Sequence, residues 1–193
     1  MDKLILNNYF NSLFLIENEV VQRITQSFTC FELKRNAILL DRNTISTKTF
    51  FLEKGYMRSY ILNEENEQVT TNIFVAPCFV NDFLSFFKQQ PTKEIYQTLT
   101  NCFFWQTTLE SVQDNFHNIP EFREFSRLLF VINYYILNDR MVEMVSQKAE
   151  TRYLNLLKRK PHIFQNVSSK IIASYLGVTE STLSRIKKEL TKI

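Results

Sequence analysis

The feature that most constrains this chain is a change of hydrophobic period between residues 107 and 118. Before it, short segments rich in aromatic and β-branched residues follow closely on one another: Phe31-Glu-Leu33, Ala37–Leu40, Thr49–Leu52, Tyr56–Leu62, Gln68–Phe74, Glu94–Thr100 and Cys102–Thr107. Polar turn material separates them, and Asn63-Glu-Glu-Asn66 reads as a hairpin turn. Such a series predicts a small antiparallel β-roll, jelly-roll-like. After the change the period is helical. Asn118-Ile-Pro120 opens a helix, with proline in the first turn and Glu121 and Glu124 near the positive dipole end. Neither Gly nor Pro follows before Gln147, so the spacing predicts a helix of about 28 residues, about 42 Å long. Residues Leu4 to Phe28 also have helical spacing, through Leu13, Ile16, Val20 and Ile24. The fold class expected is α+β: an N-terminal antiparallel β-roll with flanking helices, a long helix, and a helical C-terminal unit. The expected divisions are 1–117, 118–148 and 149–193.

The long helix carries two apolar stripes. One runs Leu128, Val131, Tyr135, Val142, Val145, Ala149 in heptad rhythm, and the other runs Phe122, Phe125, Leu129, Ile132, Ile136. One stripe can pack on the β-roll. The other is left for a partner, and the natural partner is the same helix of a second copy. Leu128, Val131, Tyr135, Val142 and Val145 are therefore expected at a homodimer interface.

Composition narrows the function classes. Two glycines in 193 residues exclude Gly-rich phosphate loops. Three widely spaced cysteines, Cys30, Cys78 and Cys102, form neither a C-x-x-C pair nor a disulfide framework. Only two histidines are present, His117 and His162, both expected in loops, so no metal site and no cofactor is expected, and the chain is not expected to be an enzyme. Apolar runs fall short of a membrane span and no signal pattern opens the chain, so a cytoplasmic location without membrane contact is expected. Charge is unevenly spread. Residues 1–146 hold 13 Lys/Arg against 17 Asp/Glu, whereas residues 147–193 hold 10 against 3. A basic terminal segment is the electrostatic footprint of a nucleic-acid partner, although a solvated basic face has the same charge.

The pattern of residues 166–190 decides between them. Two helices crossing at a sharp angle need a small side chain at the crossing, supplied by Ala173, and a residue tolerant of positive φ at the turn, supplied by Gly177. Ile172, Leu176, Val178, Leu183 and Ile186 fall where the inner faces must be apolar, while Ser168 or Ser169 and Thr179 can cap the two helices. The outer face of the second helix then shows Glu180, Ser181, Ser184, Arg185 and Lys188, groups suited to base edges and phosphates in a major groove. The expectation is a helix-turn-helix that binds double-stranded DNA.

The order of elements resembles the Crp/Fnr family of bacterial transcription regulators. The points of resemblance are Leu52-Glu-Lys-Gly55-Tyr-Met-Arg58-Ser-Tyr60, Glu150-Thr-Arg152-Tyr-Leu-Asn-Leu-Leu157, and Ile172-Ala-Ser-Tyr-Leu-Gly-Val-Thr-Glu-Ser-Thr-Leu-Ser-Arg185. The resemblance implies a cyclic-nucleotide-binding-type roll, a dimerisation helix and a C-terminal helix-turn-helix, with RNA polymerase as a further partner of an activator. By it Glu180, Ser181 and Arg185 would read bases, and Ser169, Thr179 and Thr182 would hold phosphates, with Ser168 and Lys170 beside them. The chain departs from the family twice. Pro161–Val167 leaves room for only a loop or a minimal wing. In the stretch matching the nucleotide cassette, Asp82 stands for the ribose-binding Glu, Asn81 replaces a glycine, and Lys93-Glu94 occupies the place of the phosphate-binding arginine. An effector other than a cyclic nucleotide is therefore expected, in a pocket including Phe79, Asn81, Asp82, Phe83, Ser85 and Lys93. A cyclic-nucleotide-responsive regulator and a ligand-free interaction module are the alternatives.

Overall fold

A computed structural model describes residues 2–190. Helices α1 (Leu4–Asn11) and α2 (Asn18–Thr25) precede β1 (Thr29–Leu33), β2 (Ile38–Leu40), β3 (Lys48–Lys54), β4 (Tyr56–Leu62), β5 (Gln68–Val75) and β6 (Cys78–Val80). Then come α3 (Phe83–Lys88), β7 (Ile95–Thr98), β8 (Cys102–Thr108), α4 (Leu109–Asn118), α5 (Pro120–Ser146), α6 (Ala149–Arg159), α7 (Ile163–Asn166), α8 (Ser169–Tyr175) and α9 (Glu180–Leu190). The fold is α+β, with two four-stranded antiparallel sheets ordered β1-β8-β3-β6 and β2-β7-β4-β5.

Strand alternation builds four layers. Along β3 and β8, Phe51, Phe103 and Trp105 point away from the other sheet and pack on α1, α2 and the first turns of α5, among Phe10, Ile24, Phe122 and Phe125. Their neighbours Leu52 and Phe104 point between the sheets, onto Met57, Val80 and Tyr96. The second sheet sends Ile73 and Leu99 outward from β5 and the end of β7, into a third core with Tyr153, Leu156, Ile172, Leu176, Leu183 and Ile186. Full burial of each of these large side chains is worth roughly 1.5–3 kcal/mol. Both faces of the first sheet are covered, which accounts for consecutive apolar residues such as Phe50-Phe51-Leu52 in place of strict alternation. Gly55 turns β3 into β4 at φ +107°, where a Cβ would meet the Cys102 Sγ at 2.6 Å and the Asn101 carbonyl at 2.7 Å.

Several expectations change. Residues 4–28 are two helices, because the Asn11 side chain accepts from the Ile16 N–H and ends the first. Leu109–Asn118 is helical, N-capped by Thr108, so His117 lies in a last helical turn rather than a loop. His162 does stay in a turn, before α7 and without a side-chain capping bond, and residues 161–167 hold no strand, as a loop requires. The long helix spans 27 residues and stops at Gln147, which places Ala149 on the next helix. The last three residues of the expected 149–193 division lie outside the described residues.

Candidate nucleic-acid interface

Helices α8 and α9 meet at the Leu176–Thr179 turn. Ser168 caps α8 by accepting from the Ile171 N–H at 3.4 Å, and Thr179 caps α9 by accepting from the Thr182 N–H at 3.2 Å. Gly177 sits at φ +66°, and the Val178 N–H donates to the Ala173 carbonyl at 3.0 Å. Ile172, Ala173, Leu176, Leu183 and Ile186 are buried. Glu180, Ser181, Ser184, Arg185 and Lys188 are exposed on the opposite side of α9. Thr182 is half-buried, and its hydroxyl, like that of Ser181, lies within 3.0 Å of the Thr179 hydroxyl. Lys170 is exposed, whereas half-buried Ser169 accepts from Lys187 Nζ at 3.2 Å. The ten residues expected to face DNA thus gather on α9 and on the first turn of α8.

Several basic residues before α8 point elsewhere. Helix α8 docks along β5, the edge strand of the second sheet, whose outward N–H and C=O groups would otherwise be bare. Ser174 Oγ accepts from the Thr70 N–H at 2.8 Å and donates to the Gln68 carbonyl. Arg140 donates to the Thr70 and Thr71 carbonyls, and Lys160 Nζ donates to the Ile73 carbonyl at 3.0 Å. Arg159 bridges Asp139 and Glu143, each at 2.6 Å. Part of the C-terminal positive charge therefore holds the molecule together, which the charge distribution alone conceals.

Helix α5 buries Phe122 and Phe125 against the first sheet, with Leu129 beside them. Beyond that the expected roll-facing stripe comes off the roll: Ile132 and Ile136 are exposed. Val131, Tyr135, Val142 and Val145 are also exposed, Val145 at 81%, and Leu128 is half-buried. An apolar band of this length facing solvent along one helix marks an interaction surface.

Of the residues expected around an effector, Phe79, Asn81 and Phe83 share one small void and the other three lie apart from it. Phe79 packs edge-on against Tyr9, Phe10 and Phe51. Asn81 accepts from the Thr49 hydroxyl, Asp82 caps α3 by accepting from the Ser85 N–H, and the Ser85 hydroxyl accepts from the Ser46 N–H. Phe83 lies 4.7 Å from Phe130, centroid to centroid, and Lys93 is exposed beside Arg42 and Ile61. Phe79, Asn81 and Phe83 line a void of only about 50 Å³. The polar groups that do meet inside the roll are Ser59, Thr71, Glu94 and Tyr96. Tyr96 donates to Glu94 at 2.7 Å, and Ser59 Oγ lies 2.7 Å from Thr71 Oγ1 and 3.4 Å from Glu94. Burial, then the Glu94 charge, pushes the Tyr96 hydroxyl far up, so it stays a donor. Arg58 is on the other face of its strand, stacked 4.2 Å over Tyr60 and bonded to Gln68 and Gln97. Among the described residues no cluster of His, Cys, Asp or Glu suits a metal, and no helix is long and apolar enough to cross a membrane.

No protein-family model and no curated protein matches the sequence. Solved structures do match its fold. FixK2 from Bradyrhizobium japonicum superposes with a TM-score of 0.73 at 14% identity, covering 86% of this chain and 85% of its own. A CooA mutant from Carboxydothermus hydrogenoformans gives 0.71 at 17% identity, over 97% and 84% of the two chains. A putative transcriptional regulator of the Crp/Fnr family from Eubacterium rectale gives 0.69 at 14%, over 95% and 88%. The chain thus has the fold of these regulators.

Proposed function

We propose that this chain is a sequence-specific DNA-binding transcription regulator that acts as a homodimer, by binding and without catalysis. The observation that carries the reading is the division of α9: one side closes a core through Leu183 and Ile186, and the other presents Glu180, Ser181, Ser184, Arg185 and Lys188 to solvent. A helical hairpin serving only as core has no use for that second side. The two capped helices with Gly177 at the turn act as a helix-turn-helix, and the fold shared with Crp/Fnr-type regulators agrees. In this reading residues 1–117 are a sensor-like roll, 118–148 the dimerisation helix and 149–193 the DNA-binding unit. Glu180, Ser181 and Arg185 read bases, while Ser168, Ser169, Lys170, Thr179 and Thr182 lie toward phosphates. Leu128, Val131, Tyr135, Val142 and Val145 pair across a two-fold axis, which sets half-sites about 34–36 Å apart or at a multiple of it. The effector is not a cyclic nucleotide, a reading supported by Glu94, which stands with Ser59 and Tyr96 and sets a negative charge against a phosphate there. The protein works in the cytoplasm, with RNA polymerase as partner if it activates.

Selection of genomic fragments with purified protein tests this. The expected result is a two-fold-symmetric motif, and Arg185→Ala should cost about 1–3 kcal/mol and relax one base pair per half-site. Fragments recovered without any common motif, or an Arg185→Ala protein with unchanged affinity and motif, would remove α9 from the reader's role.

A further inference from the structure

A cavity of about 290 Å³ opens between α5, α6 and the end of α8. Four cations line it, Arg140, Arg152, Arg159 and Lys160, against two carboxylates, Asp139 and Glu143. Both carboxylates are already occupied. Arg159 holds one oxygen of each at 2.6 Å, and Asn155 donates to the other Glu143 oxygen at 2.7 Å. The remaining three cations hydrogen-bond only to carbonyl oxygens. Arg140 donates to Thr70, Thr71 and Tyr175, with its Nε buried and unpartnered. Arg152 donates to Gln147 and Leu176, and Lys160 to Ile73. A carbonyl satisfies an N–H but does not cancel a full charge, and in a half-enclosed space solvent screens little of it. Burial lowers the Lys160 pKa; the nearby Cys78 opposes that, and the Arg159 and Arg140 charges add to it. The rest of the wall is apolar, from Ile136, Met144, Leu156 and Leu176, and the Tyr175 ring lies 4.2 Å beneath the Arg140 guanidinium. Basic charge without a partner and an apolar wall together select one chemistry.

We propose that this cavity binds a small amphipathic anion, a carboxylate or phosphate monoester with an apolar body, its charged end among Arg140, Arg152 and Lys160. The volume suits a fragment-sized molecule, at the lower edge of usual ligand sites. Such a ligand touches α5 on one side and Tyr175 and Leu176 on the other, next to the Gly177 turn. It would bias the placement of α8 and α9, a consequence that rests on the DNA-binding reading, whereas the site itself does not.

Calorimetric titration of the full chain with octanoate, phenyl phosphate, inorganic phosphate and neutral octanamide tests the site without DNA. Octanoate or phenyl phosphate should bind once per chain, at least tenfold more tightly than octanamide and inorganic phosphate. Lys160→Met keeps the stem volume and should weaken binding tenfold or more, with circular dichroism matching the wild type and the melting temperature lowered by loss of the bond to the Ile73 carbonyl. Arg152→Met provides a second, independent variant with the same expectation. No saturable binding of either amphipathic anion up to about 10 mM, equal binding of octanamide, or unchanged affinity in both folded variants overturns the proposal. Anion binding that leaves DNA affinity unchanged would uphold the site and break only its coupling to α9.

Discussion

The two faces of the sheet ordered β2-β7-β4-β5 differ in what they reject. The inner face carries Ser59 and Tyr96 beside Glu94, a polar set whose only fixed charge is negative and whose donors are already used. The outer face carries Ile73 and Leu99 against the C-terminal helices, and the cations Arg140 and Lys160 close over its edge strand. Alternate residues of the same strands thus build one surface hostile to anions and another that gathers positive charge. The cations that line the proposed anion site thus stand on the outer side of this sheet and not between the sheets.

The largest effect expected from breaking this contrast is Ile73→Asp. A carboxylate there enters a core of Tyr153, Ile163 and Ile172 without a hydrogen-bond partner, and denaturant unfolding should show a loss of about 3–5 kcal/mol. A loss under about 1 kcal/mol would mean that the C-terminal helices do not depend on the sheet. Next in size is the response of the inner face to cyclic AMP. Titration should give a dissociation constant weaker than about 1 mM, because Glu94 opposes the phosphate and Arg58 belongs to the other face. Micromolar affinity would collapse the distinction between the faces. The smallest effect is Ser59→Ala, which removes one hydroxyl while Tyr96 still serves Glu94. Chemical denaturation should register about 0.5–1.5 kcal/mol, and a value equal to that of Ile73→Asp would show that the inner polar set matters as much to stability as the outer core.

Much of this architecture was legible in the sequence because it is local. Tyr56–Leu62 and Gln68–Phe74 are rich in aromatic and β-branched residues as strands are, the Asn63–Asn66 turn announces their hairpin, and the gap in Gly and Pro before Gln147 announces α5. Helices α3 and α4 were harder. Phe83–Lys88 is three phenylalanines in six residues, too short to show a period, and only Asp82 before Ser85 signals its start. Thr108 with Glu110 was the available signal for α4. The candidate interface on α9 reads from spacing, since cap, turn and apolar positions lie within about twenty residues. The cavity does not. Arg140 reaches Thr71 across 69 residues and Lys160 reaches Ile73 across 87, and nothing in the order of the chain distinguishes an inward lysine from a solvated one.

The covering of β5 has a consequence for synthesis of the chain. Ser174, which satisfies the Thr70 N–H, follows it by 104 residues. At about 5–20 residues per second a ribosome adds that stretch in roughly 5–20 s. The roll is complete only with β8 at Thr108, so in the later part of that interval, seconds against the microseconds in which hairpins form, its β5 edge is covered at most in part. Arg140 and Lys160 arrive in the same order as they are translated, closing the edge from two sides before Ser174 completes it. Full covering of the β5 edge therefore waits on the delivery of C-terminal side chains, Ser174 last among these three.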